Sequence, residues 1–411
     1  MKIAYIVPYV PNQIRTRPFH LISSLSELGH EVDVFTIGSS KADQLDAELL
    51  KAKCCKVFYQ HQPMWHSLLN SVLAVPSSKP LQSVYSWHPK LAAQLKTLLN
   101  GNGTHPAYDV VHVEHLRGSA YGIFIKSQFP AMPVVWDSVD CISHLFKQAA
   151  GKSGSLFGKL MTRFELGRTR NMEGRLLGRF DHILVTSEMD KTALLDTLSS
   201  GMKSAPITVL SNGVDQEYFR INPDLERDTD TLVFSGKMSY HANVSMVMYL
   251  VNEIMPRLWE KRPNASLIVV GKDPPAEVRK LADSPRIHVT GTVDDIRPFL
   301  WKATAAVVPL VYGTGIQNKI LEAMATGTPV ITNSKALASL SVTPGKELLI
   351  ADSADDFAMC ILKLIENPVM RSIVGEAGLQ YVKDNHNWRE SARRMVNTYD
   401  RLTSQATGSI L

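Results

Sequence analysis

Cysteine is scarce in this chain: four in 411 residues, at Cys54, Cys55, Cys141 and Cys360. Their spacing matches no zinc-ligand pattern, and adjacent cysteines rarely bridge, so free thiols in a reducing compartment are expected. No apolar run reaches the roughly 18 residues that a membrane-spanning helix needs. Internal repeats and low-complexity tracts are missing too. Charge of one sign is not in large excess, 44 basic against 39 acidic residues for a net +5, which does not argue for nucleic acid. The start, Met1-Lys-Ile-Ala-Tyr-Ile-Val-Pro8, reads as a strand and a proline turn with no small-residue cleavage site. A signal peptide is therefore not expected, and the compartment is read as cytoplasmic. The loop after this strand, residues 9–17, has no glycine where a dinucleotide fingerprint would need it, which disfavours a nicotinamide-dependent oxidoreductase.

What is present is a hydrophobic content of 45% and enough length for two or three domains. Short β-branched runs alternate with helical spacing. In the first half, residues 3–7, 31–36, 110–113, 134–136 and 183–186 read as strands, and 17–28 as a helix ending at Gly29. Residues 214–231, with Pro223 and a run of charges, read as a linker. Beyond it, 232–235, 266–270, 287–289, 305–308 and 329–332 repeat the strand pattern, and 388–402 reads as a terminal helix. The alternation predicts an α/β chain of two doubly wound parallel sheets facing across a cleft, with ligands outside the carboxyl ends of the strands.

The most informative stretch is 305–331. A buried strand leads to Gly313-Thr-Gly315, then to a helix from Ile316 with no breaker before Gly327, then to a second strand. Glycines let the backbone turn and a ligand approach, and a helix start presents unpaired N–H groups to an anion. Lys319 adds a full charge, worth roughly 4 kcal/mol at about 4 Å from a phosphate before desolvation. Glu322 shares its helix face and suits the hydroxyl pair of a ribose. Two readings stand: a site for an anion with a diol beside it, as in a nucleotide-sugar, or a surface salt bridge between Lys319 and Glu322.

Four stretches resemble one family, the retaining glycosyltransferases of family 4 (glycosyl transferases group 1), over nearly the whole chain. They are Ser23-Ser-Leu-Ser-Glu-Leu-Gly-His-Glu-Val32, Val209-Leu-Ser-Asn-Gly-Val-Asp215 followed by Phe219, Leu321-Glu-Ala-Met-Ala-Thr-Gly-Thr-Pro-Val330, and the late Trp388. The resemblance implies a GT-B fold with two Rossmann-like domains. The acceptor-side domain would cover 1–212 and the donor-binding domain 213–387, with a helix over 388–404 packing back on the first. It implies a metal-independent, cofactor-free, front-face transfer of a hexose-type sugar from a nucleoside-diphosphate sugar to a cell-envelope, polysaccharide or lipid-linked acceptor. No DxD-type acidic motif stands in the cleft loops, which is compatible with that mechanism.

The family's donor site carries a glutamate pair. Glu322 matches the second member, which holds the ribose, but Thr314 stands where the first, sugar-contacting acid belongs. Gln317 and Asn318 are candidates for neutral hydrogen bonds in its place. Lys237, just past Gly236, and Lys319 are the diphosphate candidates. The family's second basic residue of that loop has no clear match, and His241 or Asn243 occupies the area. Gly271, Val293, Gly313, Gly315 and Ile316 complete the donor side. In the first domain, Glu114 sits where many members carry a histidine, flanked by His112 and His115. Asp137 and Asp140 end the next strand as candidates for sugar-side or acceptor-side hydrogen bonds. Arg15 and Arg17 are expected in the first loop, reaching donor phosphates or an anionic acceptor, or pairing at the surface. Loop caps and turns remain the plain alternative for the three acids, as a solvated loop lysine does for Lys237.

Residues 151–180 hold seven basic residues against Glu165 and Glu173, a surplus equal to the whole chain's net charge. Leu156, Phe157, Leu160, Met161 and Phe164 form a stripe that either meets an anionic membrane on its inner face or packs on its own domain. Residues 63–90, with Trp65, Tyr85 and Trp87, read as an acceptor loop or as core helices. Two other functions fit the same features: a sugar-nucleotide epimerase on the same fold, and a nucleotide-sugar-binding protein without turnover.

Overall fold

The computed structural model describes residues 1–101, 107–150, 156–312, 317–337 and 340–408; for 149–150, 156–160 and 406–408 it describes the backbone alone. The chain divides into two compact units. One is Met1–Ser211 with the terminal helix from Trp388, and the other is Asn212–Asn387.

The first unit is built on a seven-stranded parallel sheet of β1 (Lys2–Val7), β2 (Glu31–Gly38), β3 (Lys56–His61), β4 (Val110–Glu114), β5 (Val134–Val139), β6 (His182–Val185) and β7 (Ile207–Val209). Their order is β3-β2-β1-β4-β5-β6-β7. Chain order reverses between β1 and β4, where Ile3 stands opposite both Val32 and Val110. A reversal of this kind opens a crevice at the strands' carboxyl ends. Side chains alternate along each strand, so the sheet feeds two cores. Ala4, Ile6, Val111, Val113 and Trp136 fill one, and Ile3, Tyr5, Val7, Val32 and Val34 the other.

That second core is closed by the helix Thr16–Glu27, through Leu21, Ile22 and Leu25, and by the terminal helix Trp388–Gly408. Trp388, Ala392, Met395 and Tyr399 recur every three or four residues and form one buried stripe. Gly29, in the left-handed region at φ 88°, ends the first helix where a side chain would be strained.

The second unit repeats the plan with β8 (Thr231–Ser235), β9 (Ser266–Val270), β10 (Ile287–Gly291), β11 (Ala305–Val308), β12 (Val330–Thr332) and β13 (Leu349–Ile350). The order is β10-β9-β8-β11-β12-β13, parallel at every pairing. Three strands were not anticipated. β3 and β7 lie at the edges of the first sheet with half-buried residues, and β13 has only two residues. The stretch 214–231, expected as a linker, packs into the second unit. Phe219 is buried there, and Arg227 bonds the carbonyls of Leu300, Trp301, Ala303 and Thr326.

Trp388 is 5% exposed and stacks on His20 with ring centroids 5.5 Å apart. Trp388→Ala therefore leaves a cavity between the terminal helix and the sheet. We expect a loss of about 3–5 kcal/mol in urea unfolding; a loss under about 1 kcal/mol would mean that the terminal helix does not close this core.

Candidate functional site

In the first unit the chain leaves β4 and β5 through residues forced into the left-handed region, His115 at φ 63° and the β-branched Val139 at φ 67°. The β5–β6 ladder is irregular at the same place, between Asp137 and Val139. Strain of this kind costs about 1–3 kcal/mol per residue and collects at functional sites. It brings together a buried polar cluster. Glu114 is 1% exposed and accepts hydrogen bonds from the hydroxyls of Tyr9 at 2.5 Å and Tyr5 at 3.3 Å. Burial, with Asp137 nearby, pushes the Glu114 carboxyl up to about 8.

Asp137 is wholly buried and takes Arg17 Nε at 2.9 Å, with a second guanidinium nitrogen at 2.8 Å. The third nitrogen of Arg17 donates to the Leu210 carbonyl at 2.9 Å. His112 stacks on Tyr5 with centroids 4.1 Å apart, and its Nδ1 lies 2.8 Å from the Tyr399 hydroxyl of the terminal helix. Burial pushes His112 down to about 4, so it is neutral at physiological pH. Asp140 receives the Thr186 hydroxyl at 3.3 Å and is pushed up to about 7 by burial and by Asp190.

The expected acids thus lie in one cluster at the strand ends. Arg17 departs from expectation. It is not a loop residue but the second residue of the helix Thr16–Glu27, buried and held by Asp137. Arg15 keeps a side chain 41% exposed, bonded to the Val10 carbonyl at 3.0 Å and lying over the Tyr9 ring. Tyr5, Tyr9 and Tyr399 went unremarked in the sequence. Alternation along β1 puts Tyr5 on a core face, but nothing local says that its hydroxyl meets Glu114.

In the second unit β8 and β9 end in Gly236 and Gly271, at φ 155° and 150°. A Cβ on Gly271 would stand 1.8 Å from the Gly236 carbonyl oxygen. A Cβ on Gly236 would stand 2.7 Å from Asn243 Nδ2 and 3.3 Å from Lys319 Cε. Only glycines allow this approach, and it lays the Lys319 side chain over the β8 terminus. The helix Asn318–Ala325 starts one residue before Lys319. The Lys319 ammonium bonds Gln317 Oε1 at 3.2 Å and faces the Phe234 ring, so it is not held by Glu322 as a surface salt bridge would require. It is 9% exposed, and burial pushes it down to about 8, against the pull of Glu322. Burial likewise pushes Glu322 up to about 7, opposed by Lys319.

Lys237 is exposed, and its carbonyl accepts from Asn243 Nδ2 at 2.8 Å. The other amide atom of Asn243, Oδ1, is buried without a partner among the described residues. Asn318 Oδ1 accepts from Asn212 at 3.3 Å, and His241 meets the Tyr312 hydroxyl. Val293 is half-buried against the core. Gly313, Thr314, Gly315 and Ile316 lie outside the described residues. Gly236, Gly271, Asn243, Gln317 and Lys319 therefore converge around one buried cation.

In 151–180, Met161 and Phe164 are exposed, while Leu176 and both acids, Glu165 and Glu173, are buried. Glu165 accepts from the Leu81 backbone at 2.9 Å, and Glu173 from the Ile142 backbone at 2.7 Å. Leu156, Phe157 and Leu160 have no described side chains. Among the described residues, no helix is long and apolar enough to cross a membrane.

The family model described as glycosyl transferase 4-like domain matches residues 14–213, and the one described as glycosyl transferases group 1 matches 229–367. A curated relative, the MMP alpha-(1->4)-mannosyltransferase of Mycolicibacterium hassiacum, is 22% identical over 94% of both chains. An uncharacterised glycosyltransferase of Methanocaldococcus jannaschii is 26% identical over 61% of this chain and 67% of its own. Among solved structures, sucrose-phosphate synthase from Thermosynechococcus elongatus superposes with a TM-score of 0.69 at 18% identity, covering 98% of this chain and 99% of its own. Anabaena HepE in complex with UDP-glucose does so at 0.68 and 14%, covering 98% and 100%.

The Glu114 shift carries a sign. Between its ordinary value of 4.5 and about 8, the folded protein keeps a proton that the unfolded chain releases. Stability therefore falls as pH rises through that window, by up to about 1.4 kcal/mol per pH unit. Glu114→Gln should remove this slope, so that the variant gains on wild type between pH 5 and 7 in urea unfolding. Parallel curves would mean that Glu114 is ionised in the folded state.

Proposed function

The chain belongs to the glycosyl transferases group 1, a glycosyltransferase of the GT-B fold, and from that premise we propose how its residues serve the transfer. The donor is a nucleoside-diphosphate sugar of hexose type, and the acceptor a cell-envelope, polysaccharide or lipid-linked hydroxyl. The observation that carries the donor assignment is the buried Lys319 ammonium, laid over Gly236 at the start of a helix. A diphosphate there meets a full charge, helix N–H groups and a backbone stripped of side chains. Lys237 closes on the same phosphates from the exposed loop. Glu322, one turn along, accepts the ribose hydroxyls, and Asn243, Gln317 and Asn318 offer neutral hydrogen bonds.

The step that fits is front-face and retaining. The bond from the anomeric carbon to the β-phosphate oxygen breaks. The acceptor oxygen bonds the same carbon on the same face, and its proton goes to the departing phosphate oxygen. Lys319 and Lys237 offset the charge growing on the leaving diphosphate, a role that needs no metal ion and no protein nucleophile. To Glu114, Asp137 and Asp140 we assign hydrogen bonding to sugar or acceptor. Asp137 also holds Arg17 in place.

A panel of nucleotide-sugars, read by release of free nucleoside diphosphate, tests the assignment. Lys319→Ala should lower kcat/KM about 10²–10³-fold, as loss of one charge-stabilising donor does elsewhere, with Glu322→Ala weakening donor binding. Wild-type turnover in both variants would refute the donor site. Epimerised sugar with no diphosphate released would refute the transfer.

A further inference from the structure

The helix Met64–Ala74 presents its faces in reverse. A surface helix normally packs its apolar stripe inward. Here the inward face is polar but for Ala74. Ser67 is 4% exposed and accepts from Gln62 Nε2 at 2.8 Å, and Asn70 Nδ2 donates to the Trp87 carbonyl at 2.9 Å. Ser71 returns its hydroxyl to the Ser67 carbonyl. The outward face carries Met64, Trp65, Leu68, Leu69, Val72 and Leu73, each between 45% and 68% exposed. They fall at successive turns and make one stripe. The helix itself bears no charged residue. A contiguous exposed apolar stripe of this kind marks a surface that meets a partner.

Charge says which partner. Between Glu48 and Asp109 the sequence has no acidic residue and six lysines. At the far end of the stripe, Val75 is exposed and its carbonyl accepts from Arg168 at 2.6 Å. The same guanidinium lies 3.9 Å over the exposed Phe164 ring and reaches the Lys79 carbonyl at 3.3 Å. Lys79 is exposed beside it, and Arg163, next to Phe164 in the sequence, is exposed too, while the one acid of that turn, Glu165, is buried on the Leu81 backbone. A second copy of this chain, paired face to face, would bring like charges together.

We propose that this face seats on an anionic membrane surface. The stripe enters the headgroup boundary with Trp65 at the interface, and Lys79, Arg163 and Arg168 meet lipid phosphates. The membrane contact thereby centres on the helix Met64–Ala74, with Met161 and Phe164 as its margin. The inference stands apart from the donor site, which lies in the other unit.

The test sediments the full chain with phosphatidylcholine vesicles and with equimolar phosphatidylcholine–phosphatidylglycerol vesicles. Wild type should bind the anionic vesicles and be released by salt. Trp65→Glu with Leu69→Glu should lower that binding about tenfold or more, and Lys79→Glu with Arg163→Glu should weaken it with the stripe intact. All substituted positions are exposed, and an unchanged unfolding midpoint and nucleotide binding show that each variant is folded. Equal sedimentation of wild type and variants overturns the proposal. So does a wild-type dimer in solution that Trp65→Glu with Leu69→Glu dissociates, since the stripe would then belong to a second copy.

Discussion

A lysine ammonium drawn out of water is the constraint on which the candidate site of the second unit depends. Burying such a charge costs free energy unless an anion or a set of dipoles replaces its hydration. Among the described residues the Lys319 ammonium donates one side-chain hydrogen bond, to Gln317 Oε1, and feels the pull of Glu322 one turn along. Neither restores an ordinary lysine. The local architecture is nevertheless shaped to keep it there, because a side chain on Gly236 would crowd Lys319 Cε and one on Gly271 would strike the Gly236 carbonyl. Two strand ends give up their side chains so that one cation can lie across them. Among the described residues the charge is undersatisfied, and in the proposed donor site an anionic ligand completes it.

The first unit solves a similar problem in the opposite way. Arg17 and Asp137 are as deeply buried, but they are matched, with further bonds to the Leu210 carbonyl and the Val139 backbone. His112 and Tyr399 extend the network to the terminal helix, and Glu114 anchors it through Tyr5 and Tyr9. Linked bonds of this kind hold strand ends rigid, including the left-handed turns at His115 and Val139, with His112 Nε2 left without a hydrogen bond among the described residues. The first unit thus holds a fixed, buried polar network, and the second a site whose charge is incomplete among the described residues.

The strands most easily read in the sequence were those buried on both faces, such as β1, β4 and β11, because near-continuous apolar runs mark strands of a parallel sheet. β3, β7 and β13 escaped for the converse reason: edge strands and two-residue strands carry little pattern. The glycine-flanked lysine at the head of the helix Asn318–Ala325 was legible because turn, helix start and charge are neighbours in sequence. Arg17 was not, since the partner that buries it, Asp137, lies 120 residues away. The helix Met64–Ala74 shows another limit. Periodicity reveals a stripe but not which side faces the domain, and here polar Ser67 and Asn70 face inward. Glu165 and Glu173, set against the basic residues of 151–180 in the sequence, are buried acceptors of backbone N–H groups.

In the proposed donor site the depressed lysine is completed by the donor's diphosphate. The number of protons exchanged on binding tests this most directly. With a folded-state value of about 8 for Lys319, the side chain is mostly neutral at about pH 9, and an anion placed on it restores its charge. Calorimetric titration with nucleoside diphosphate at about pH 9, in buffers of different ionisation enthalpy, should show about one proton taken up per nucleotide bound. Lys319→Met should abolish the uptake. Binding with no proton uptake in the wild-type protein would contradict the account.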